Sequence, residues 1–163
     1  MDGEREEPGR AGAARPLVLV LNGPNLDRLG RREPAIYGRQ TLDEIAAALI
    51  ARGEELGLAV ECRQSAHEGH LVSWLHEAED RGALAVLLNA GAYSHTSIAI
   101  RDAIRAISVP VIEVHLSNPQ AREPFRRRSH VAPVALGTVS GFGARSYLLA
   151  LDAAAHLRHA AAS

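Results

Sequence analysis

The stretch LNGPNLDRLGRREPAIYG places a tyrosine among arginines, a combination that could supply a base for proton abstraction. Tyr37 lies near its end, and Arg31, Arg32 and Arg39 flank it. A tyrosine side chain is a poor base at neutral pH unless nearby positive charge stabilises its phenolate form. The alternative is a tyrosine packed on the surface beside solvated arginines, as in most surface charge clusters. The rest of the chain must decide between the two.

Two histidines and a basic cluster could complete a site for acid–base chemistry. His115 directly follows the apolar run 109–114 and could donate or accept a proton near neutral pH. His95 lies at a predicted helix start, where the helix dipole disfavours a charged imidazole, so it suits binding of a hydroxyl. Arg126, within FRRRS, could reach an anionic or polyhydroxyl ligand. Each residue also has a structural alternative. His115 could be a hydrogen-bonded structural histidine, His95 a neighbour of a helix cap, and Arg126 part of a solvated basic face.

Five apolar, β-branched runs predict the buried strands that would carry these residues. They are Leu17–Leu21, Leu58–Cys62, Leu84–Leu88, Val109–Val114 and Val134–Val139. Helical periodicity predicts helices over about residues 40–57, 67–81, 94–107 and 144–159. This alternation predicts an α/β, flavodoxin-like three-layer sandwich: a five-stranded parallel sheet of order 2-1-3-4-5 with helices on both faces.

The predicted topology brings the polar residues together at one edge of the sheet. Ligands of such sheets bind beyond the carboxyl ends of the strands, where the strand order reverses between strands 1 and 3. Asn25 follows strand 1 and Asn89 follows strand 3, so we expect their loops to lie side by side. The connection 22–39 is much longer than the roughly 2–6 residues usual in α/β folds, which is typical of a functional or a disordered loop.

Composition bounds the function further. The 163 residues suit one domain, predicted over 17–163 with a C-terminal helix, and residues 1–16 read as a disordered leader, with a targeting segment as the alternative. The net charge of -1 and the lack of a long apolar run argue against nucleic-acid and membrane partners. A single cysteine, Cys62, fits a reducing, cytoplasmic setting. The histidine spacing matches no metal-ligand set, and no dinucleotide or phosphate-loop motif is present, so we expect neither metal nor cofactor.

Five motifs in order resemble those of the type II 3-dehydroquinate dehydratase family. They are NGPNLDRLGRREPAIYG, RQSAHEGHLVSWLHEA, LNAGAYSHTSIAIRDA, IEVHLSNPQAREPFRRRS and GTVSGFGARSYLLAL. The resemblance extends over about Leu17 to Leu151, and Ser94, where threonine is common, is a conservative change. The resemblance implies trans-dehydration of 3-dehydroquinate to 3-dehydroshikimate through an enolate, without a cofactor, in the shikimate pathway or in quinate breakdown.

The resemblance also implies roles for the residues of the long loop, which would be an active-site lid. Tyr37 would remove a proton from C2 of the substrate. Arg32 would hold Tyr37 as a phenolate, and Asn25 would position a water against the developing enolate oxygen.

The same resemblance implies an acid and a substrate-binding set on the strand ends. His115 would release the C1 hydroxyl as water, oriented in part by Asn89 and Glu113. The backbone N–H groups of Leu116 and Ser117 would bind the substrate carboxylate, which needs no charged side chain. The ring hydroxyls would be held by Asn89, His95 and Arg126.

Asp102 has two interpretations. It lies three residues before Arg105 on a predicted helix, so an exposed ion pair is the simpler one. The resemblance instead implies that Asp102 reaches the active site of an adjacent subunit, in a dodecamer built from trimers.

Two other functions remain open at this level. A flavodoxin-like binding or regulatory module would explain the sheet and its polar edge, but not a tyrosine among arginines on a long loop. A different proton-transferring lyase or isomerase on the same scaffold is the second, because fold does not determine function.

Overall fold

Five strands form one parallel sheet of order β2-β1-β3-β4-β5 in the computed structural model, which describes residues 14–160. The predicted flavodoxin-like order is therefore confirmed. The strands are β1 Leu17–Asn22, β2 Ala59–Gln64, β3 Ala85–Asn89, β4 Val111–His115 and β5 Gly137–Ser140. The three central strands are buried almost throughout, whereas β2 and β5 are edge strands and only partly buried. Apolar runs without polar alternation fit strands covered on both faces.

Helices cover both faces of the sheet and divide the core into two layers. They are α1 Pro34–Tyr37, α2 Leu42–Leu56, α3 Glu68–Asp80, α4 Ile98–Ala106 and α5 Arg145–Ala160. Ile45 and Leu49 of α2 share one apolar cluster with Leu151 of α5. Leu71 and Leu75 of α3 lie in the second cluster, with α4. The result is the predicted three-layer arrangement.

Two predicted boundaries were wrong for local reasons. The third long helix was expected from residue 94, but Ser97 caps it, its Oγ accepting the Ile100 N–H at 2.9 Å. Residues 91–95 form a 3-10 turn instead, and Ile98 is 51% exposed at the first position of α4. The fifth strand begins at Gly137 rather than Val134, because residues 132–134 form a turn containing a proline, which lacks the N–H that a strand ladder needs.

The long connection after β1 has local structure of its own. It contains a 3-10 turn, Leu26–Arg28, and the single-turn helix α1, which ends at Tyr37. Of the predicted leader, residues 1–13 lie outside the described residues, and Pro16 already accepts a hydrogen bond from the Ala59 N–H at the start of β2. None of the helices within 14–160 has the length and apolar character needed to cross a membrane.

Candidate active site

Close backbone packing places the loops after β1 and β3 side by side. Asn22 pairs with Asn89 in the sheet register, and the Gly23 N–H donates to the Asn89 carbonyl at 2.8 Å. A Cβ atom at Gly23 would lie 2.4 Å from the Ala90 carbonyl oxygen, so only glycine allows this approach. Asn25 follows in the left-handed region, with φ 67°. The expected meeting of the Asn25 and Asn89 loops at the switch point is therefore observed.

One pocket at this edge gathers most of the residues singled out in the sequence. Nine of the eleven candidates line it: Asn25, Arg32, Tyr37, Asn89, His95, His115, Leu116, Ser117 and Arg126. Glu113 lies directly behind His115, and Asp102 lies elsewhere on the molecule. The strand ends supply the floor of the pocket, and the long loop supplies Asn25, Arg32 and Tyr37.

Two arginines, from different parts of the chain, face the Tyr37 ring. The guanidinium carbon of Arg32 lies 5.3 Å from the ring centroid, and that of Arg122 lies 5.1 Å away. The Arg122 side chain is only 15% exposed, against 40% for Arg32, and its Nη1 donates to Ser117 Oγ at 3.4 Å. Positive charge at this range favours an anionic ring oxygen. Of the three arginines that flank Tyr37 in the sequence, only Arg32 faces its ring among the described residues, and the better-buried arginine comes from beyond β4.

Arg122 is the pocket residue that sequence reasoning missed. It stands seven residues after His115, inside the motif IEVHLSNPQAREPFRRRS but before the basic cluster FRRRS. Its position in the sequence could have identified it as a pocket residue. It follows a strand whose carboxyl end carries candidate residues, so its side chain could lie at the same edge of the sheet.

His115 and Glu113 form a buried pair at the end of β4. The residues are 8% and 1% exposed, and His115 Nε2 donates to Glu113 Oε1 at 2.6 Å. The Ser129 hydroxyl donates to the same Oε1 atom at 2.7 Å, so the carboxylate is anchored from a second side. A carboxylate that accepts from Nε2 sets the ring orientation and leaves Nδ1 as the nitrogen free for a ligand. The predicted orientation of His115 by Glu113 is therefore seen as a direct hydrogen bond.

His95 and Arg126 reach the pocket with part of their hydrogen-bonding capacity already used. The His95 ring lies 6.5 Å from the His115 ring, nearly parallel to it, and its Nδ1 donates to the Arg128 carbonyl at 2.8 Å. His95 ends a 3-10 turn before α4, so the helix-dipole reasoning applied to it in the sequence was wrong. Arg126 Nε donates to Glu123 at 2.8 Å. A hydrogen bond from its own backbone N–H, and after it Arg126, lowers the pKa of the Glu123 carboxyl.

Asn89 is tied to the core rather than to His115. Its Nδ2 donates to the Tyr147 hydroxyl at 2.8 Å, and its Oδ1 accepts from the Gly91 N–H at 3.2 Å. The Tyr147 hydroxyl in turn donates to Asn22 Oδ1 at 2.6 Å. Asn89 makes no hydrogen bond to His115 within residues 14–160, so its expected part in orienting that ring is not observed.

Asp102 lies on the exposed side of α4, away from the pocket. Its carboxylate makes no ion pair with Arg105 or with any other residue that the structure describes, so the simpler interpretation of a surface pair is wrong for this chain by itself. Between residues 14 and 160, no three His, Cys, Asp or Glu side chains are grouped so that they could hold a metal ion.

Comparison with known proteins gives a consistent result. The family described as Dehydroquinase class II matches residues 16–155. A 3-dehydroquinate dehydratase of Rhizobium johnstonii is 58% identical over 136 residues, covering 83% of this chain and 93% of the relative. One of Ruegeria pomeroyi is 59% identical over 143 residues, covering 86% and 94%.

A solved structure points the same way. The type II dehydroquinase from Propionibacterium acnes superposes with a TM-score of 0.83 at 51% identity, over 86% of this chain and 96% of that one. The residues that the family matches, 16–155, include all five strands and the loops that line the pocket. The chain belongs to the class II dehydroquinase family.

Proposed function

We propose that this chain dehydrates 3-dehydroquinate to 3-dehydroshikimate in the pocket described above, with Tyr37 as base and His115 as acid. The reaction class follows from the family: the chain is a hydro-lyase, a 3-dehydroquinate dehydratase of the shikimate pathway. The observation that carries the residue assignment is the gathering of nine candidate residues, from four separate parts of the chain, around one pocket.

The first step is removal of a proton from C2 by the Tyr37 phenolate. The C–H electron pair becomes the enolate, whose oxygen bears the negative charge, and the proton ends on the tyrosine oxygen. Arg32 and Arg122, both within 5.3 Å of the ring centroid, support the phenolate before the transfer. Asn25, held on the first loop, positions a water toward the enolate oxygen. Such stabilisation acts where charge develops, so it lowers the barrier rather than only the energy of the bound substrate.

The second step is loss of the C1 hydroxyl. The enolate pair re-forms the ketone, C1=C2 becomes a double bond, and the C1–O bond breaks. His115, which carries a proton on both nitrogens at this stage and is paired with the Glu113 carboxylate through Nε2–H, donates its Nδ1 proton to the leaving oxygen, which departs as water. Because Nε2 is held by Glu113, the ring cannot turn away during the transfer, and Ser129 keeps the carboxylate in place. After each turnover Tyr37 loses its proton to solvent and His115 gains one from solvent, so both residues regain the protonation states with which they began.

The remaining pocket residues bind the substrate. We place the carboxylate on the backbone N–H groups of Leu116 and Ser117, which follow β4 and line the pocket. Asn89, His95 and Arg126 then meet the ring hydroxyls. His95 keeps Nε2 available, because its Nδ1 is committed to the Arg128 carbonyl.

We infer that Asp102 completes a neighbouring subunit's site within a dodecamer built from trimers. Support comes from its exposed position on α4 and the absence of any partner among the described residues. We also propose a cytoplasmic location, in line with the single cysteine, Cys62. The same reaction would serve quinate breakdown as well as chorismate and aromatic amino acid biosynthesis.

The test is a direct assay of the purified chain after treatment with a chelator. Mixed with 3-dehydroquinate, the protein should produce the near-ultraviolet absorbance of a conjugated enone, at the same rate with and without chelator. No enone from the folded protein would contradict the reaction. Activity that disappears on chelation and returns with a divalent ion would contradict the acid–base mechanism.

A further inference from the structure

A buried hydrogen-bond chain connects the pocket residue Asn89 to the core of the molecule. Tyr147 lies on the first turn of α5 and is 0% exposed. Its hydroxyl stands between the two asparagines that end β1 and β3, donating to Asn22 at 2.6 Å and accepting from Asn89 at 2.8 Å. The two contacts cross 125 and 58 residues of sequence. Only the folded sheet can bring these three side chains together.

The backbone groups at the two ends of this chain determine its direction. At one end, the Arg63 carbonyl can only accept, and Asn22 Nδ2 donates to it at 3.2 Å. At the other end, the Gly91 N–H can only donate, and Asn89 Oδ1 accepts it at 3.2 Å. Each amide therefore has a single orientation that satisfies all partners. Burial raises the pKa of the Tyr147 hydroxyl, so that group stays protonated and remains a donor.

We infer that Tyr147 is a positioning residue for the dehydratase reaction: its hydroxyl holds the Asn89 amide in the one orientation that presents its remaining N–H to the substrate. One Nδ2 hydrogen is used by Tyr147, which leaves the second for a ligand oxygen. Without the hydroxyl, the Gly91 N–H still fixes Oδ1, but Nδ2 loses its buried acceptor, and its second N–H is no longer held in the direction of the pocket. This inference rests on the proposed function in one respect, the contact between Asn89 and the substrate.

The experiment is a double-mutant cycle measured with the enone assay. Tyr147→Phe keeps the buried ring and removes only the hydroxyl. We expect it to lower kcat/KM about tenfold, the effect of one net hydrogen bond, chiefly through KM. In an Asn89→Ala background the same substitution should change kcat/KM less than about twofold, because residues that act through one another are not additive. Equal fold losses in both backgrounds, or no loss in the wild-type background, would overturn the inference.

A matched control and a second variant keep the result interpretable. Tyr93→Phe also removes a hydroxyl, one that donates to the Ala66 carbonyl at 2.7 Å beside the site, and should leave kcat/KM within about twofold. If Tyr147→Phe does not fold, Asn22→Ala carries the same cycle, since it removes the acceptor that sets the direction of the Tyr147 O–H. Absence of enone formation in the wild-type protein would refute the proposed function, whereas the positioning role is decided by the ratio between backgrounds.

Discussion

The two arginines beside Tyr37 should contribute unequally to its action as a base. The guanidinium carbons lie 5.3 and 5.1 Å from the ring centroid, and we take about 5 Å as the scale of the charge separation. Unit charges at that distance interact by about 3 kcal/mol at an effective dielectric constant of about 20, and by about 1 kcal/mol in water. Arg122 is 15% exposed and Arg32 is 40% exposed, so solvent screens Arg32 more. We therefore expect Arg122→Ala to weaken phenolate stabilisation by about 2 kcal/mol and Arg32→Ala by about 1 kcal/mol. At neutral pH these values correspond to losses of about 30-fold and 5-fold in rate.

The pH profile of kcat/KM separates this role from simple substrate binding. Removing a cation that favours the phenolate moves the limb on which kcat/KM rises with pH to higher pH, so the loss should shrink as the pH increases. Arg31→Ala is the matched control, because Arg31 is exposed on the same loop and makes no cation–π contact with Tyr37 among the described residues. A loss in Arg122→Ala that stays constant across the pH range, or one no larger than in Arg31→Ala, would refute the reasoning.

Three further outcomes follow from the structure. If Asp102 completes a neighbouring subunit's site, Asp102→Asn should lower enone formation, but by less than loss of the base would. Variants that gel filtration shows to be folded monomers should then be less active per chain than the assembled protein. Monomers that are equally active would show that Asp102 is only a surface residue. Hydrogen bonds from Ser108 lower the pKa of Glu79 below its ordinary value of 4.5, so the stabilisation they give is present above that pH and disappears as the pH falls through the lowered value. The melting temperature of Glu79→Gln should accordingly fall less than that of the wild type between pH 6 and about pH 3, and parallel curves would contradict this. Burial raises the pKa of Cys62 to about 11, so a thiol reagent at pH 8 should react far faster with the denatured than with the native chain.

The fold was predictable because its determinants are local and repeated. Each buried strand appears as an apolar run, and the helices between parallel strands leave few possible sheet orders. Boundaries were less accurate where a single side chain decides them, as Ser97 does for α4. The pocket followed from topology, since the carboxyl ends of parallel strands must share one edge.

The contacts that give the site its precision were not predictable, because they join distant segments through single atoms. Arg122 follows a turn after β4, and its contact with the Tyr37 ring depends on how the residues after β4 pack. Tyr147 lies on the buried face of α5 with Ala150 and Leu151, so in the sequence it resembles a core residue, and its hydroxyl acquires a role only where Asn22 and Asn89 meet. Asp102 differs from Arg122 and Tyr147, because the contacts that we propose for it lie in a neighbouring subunit and not in the single chain.

The most direct test of the account is Tyr37→Phe, because this substitution removes the proposed base and keeps the ring that Arg32 and Arg122 face. Substrate binding, measured by calorimetry, should persist, and enone formation should fall by about 10²–10⁴-fold, the usual contribution of a positioned acid–base group. Tyr93→Phe serves as the control for removal of a tyrosine hydroxyl near the pocket. A folded Tyr37→Phe protein that keeps more than about a tenth of the wild-type rate would contradict the assignment of Tyr37 as the base.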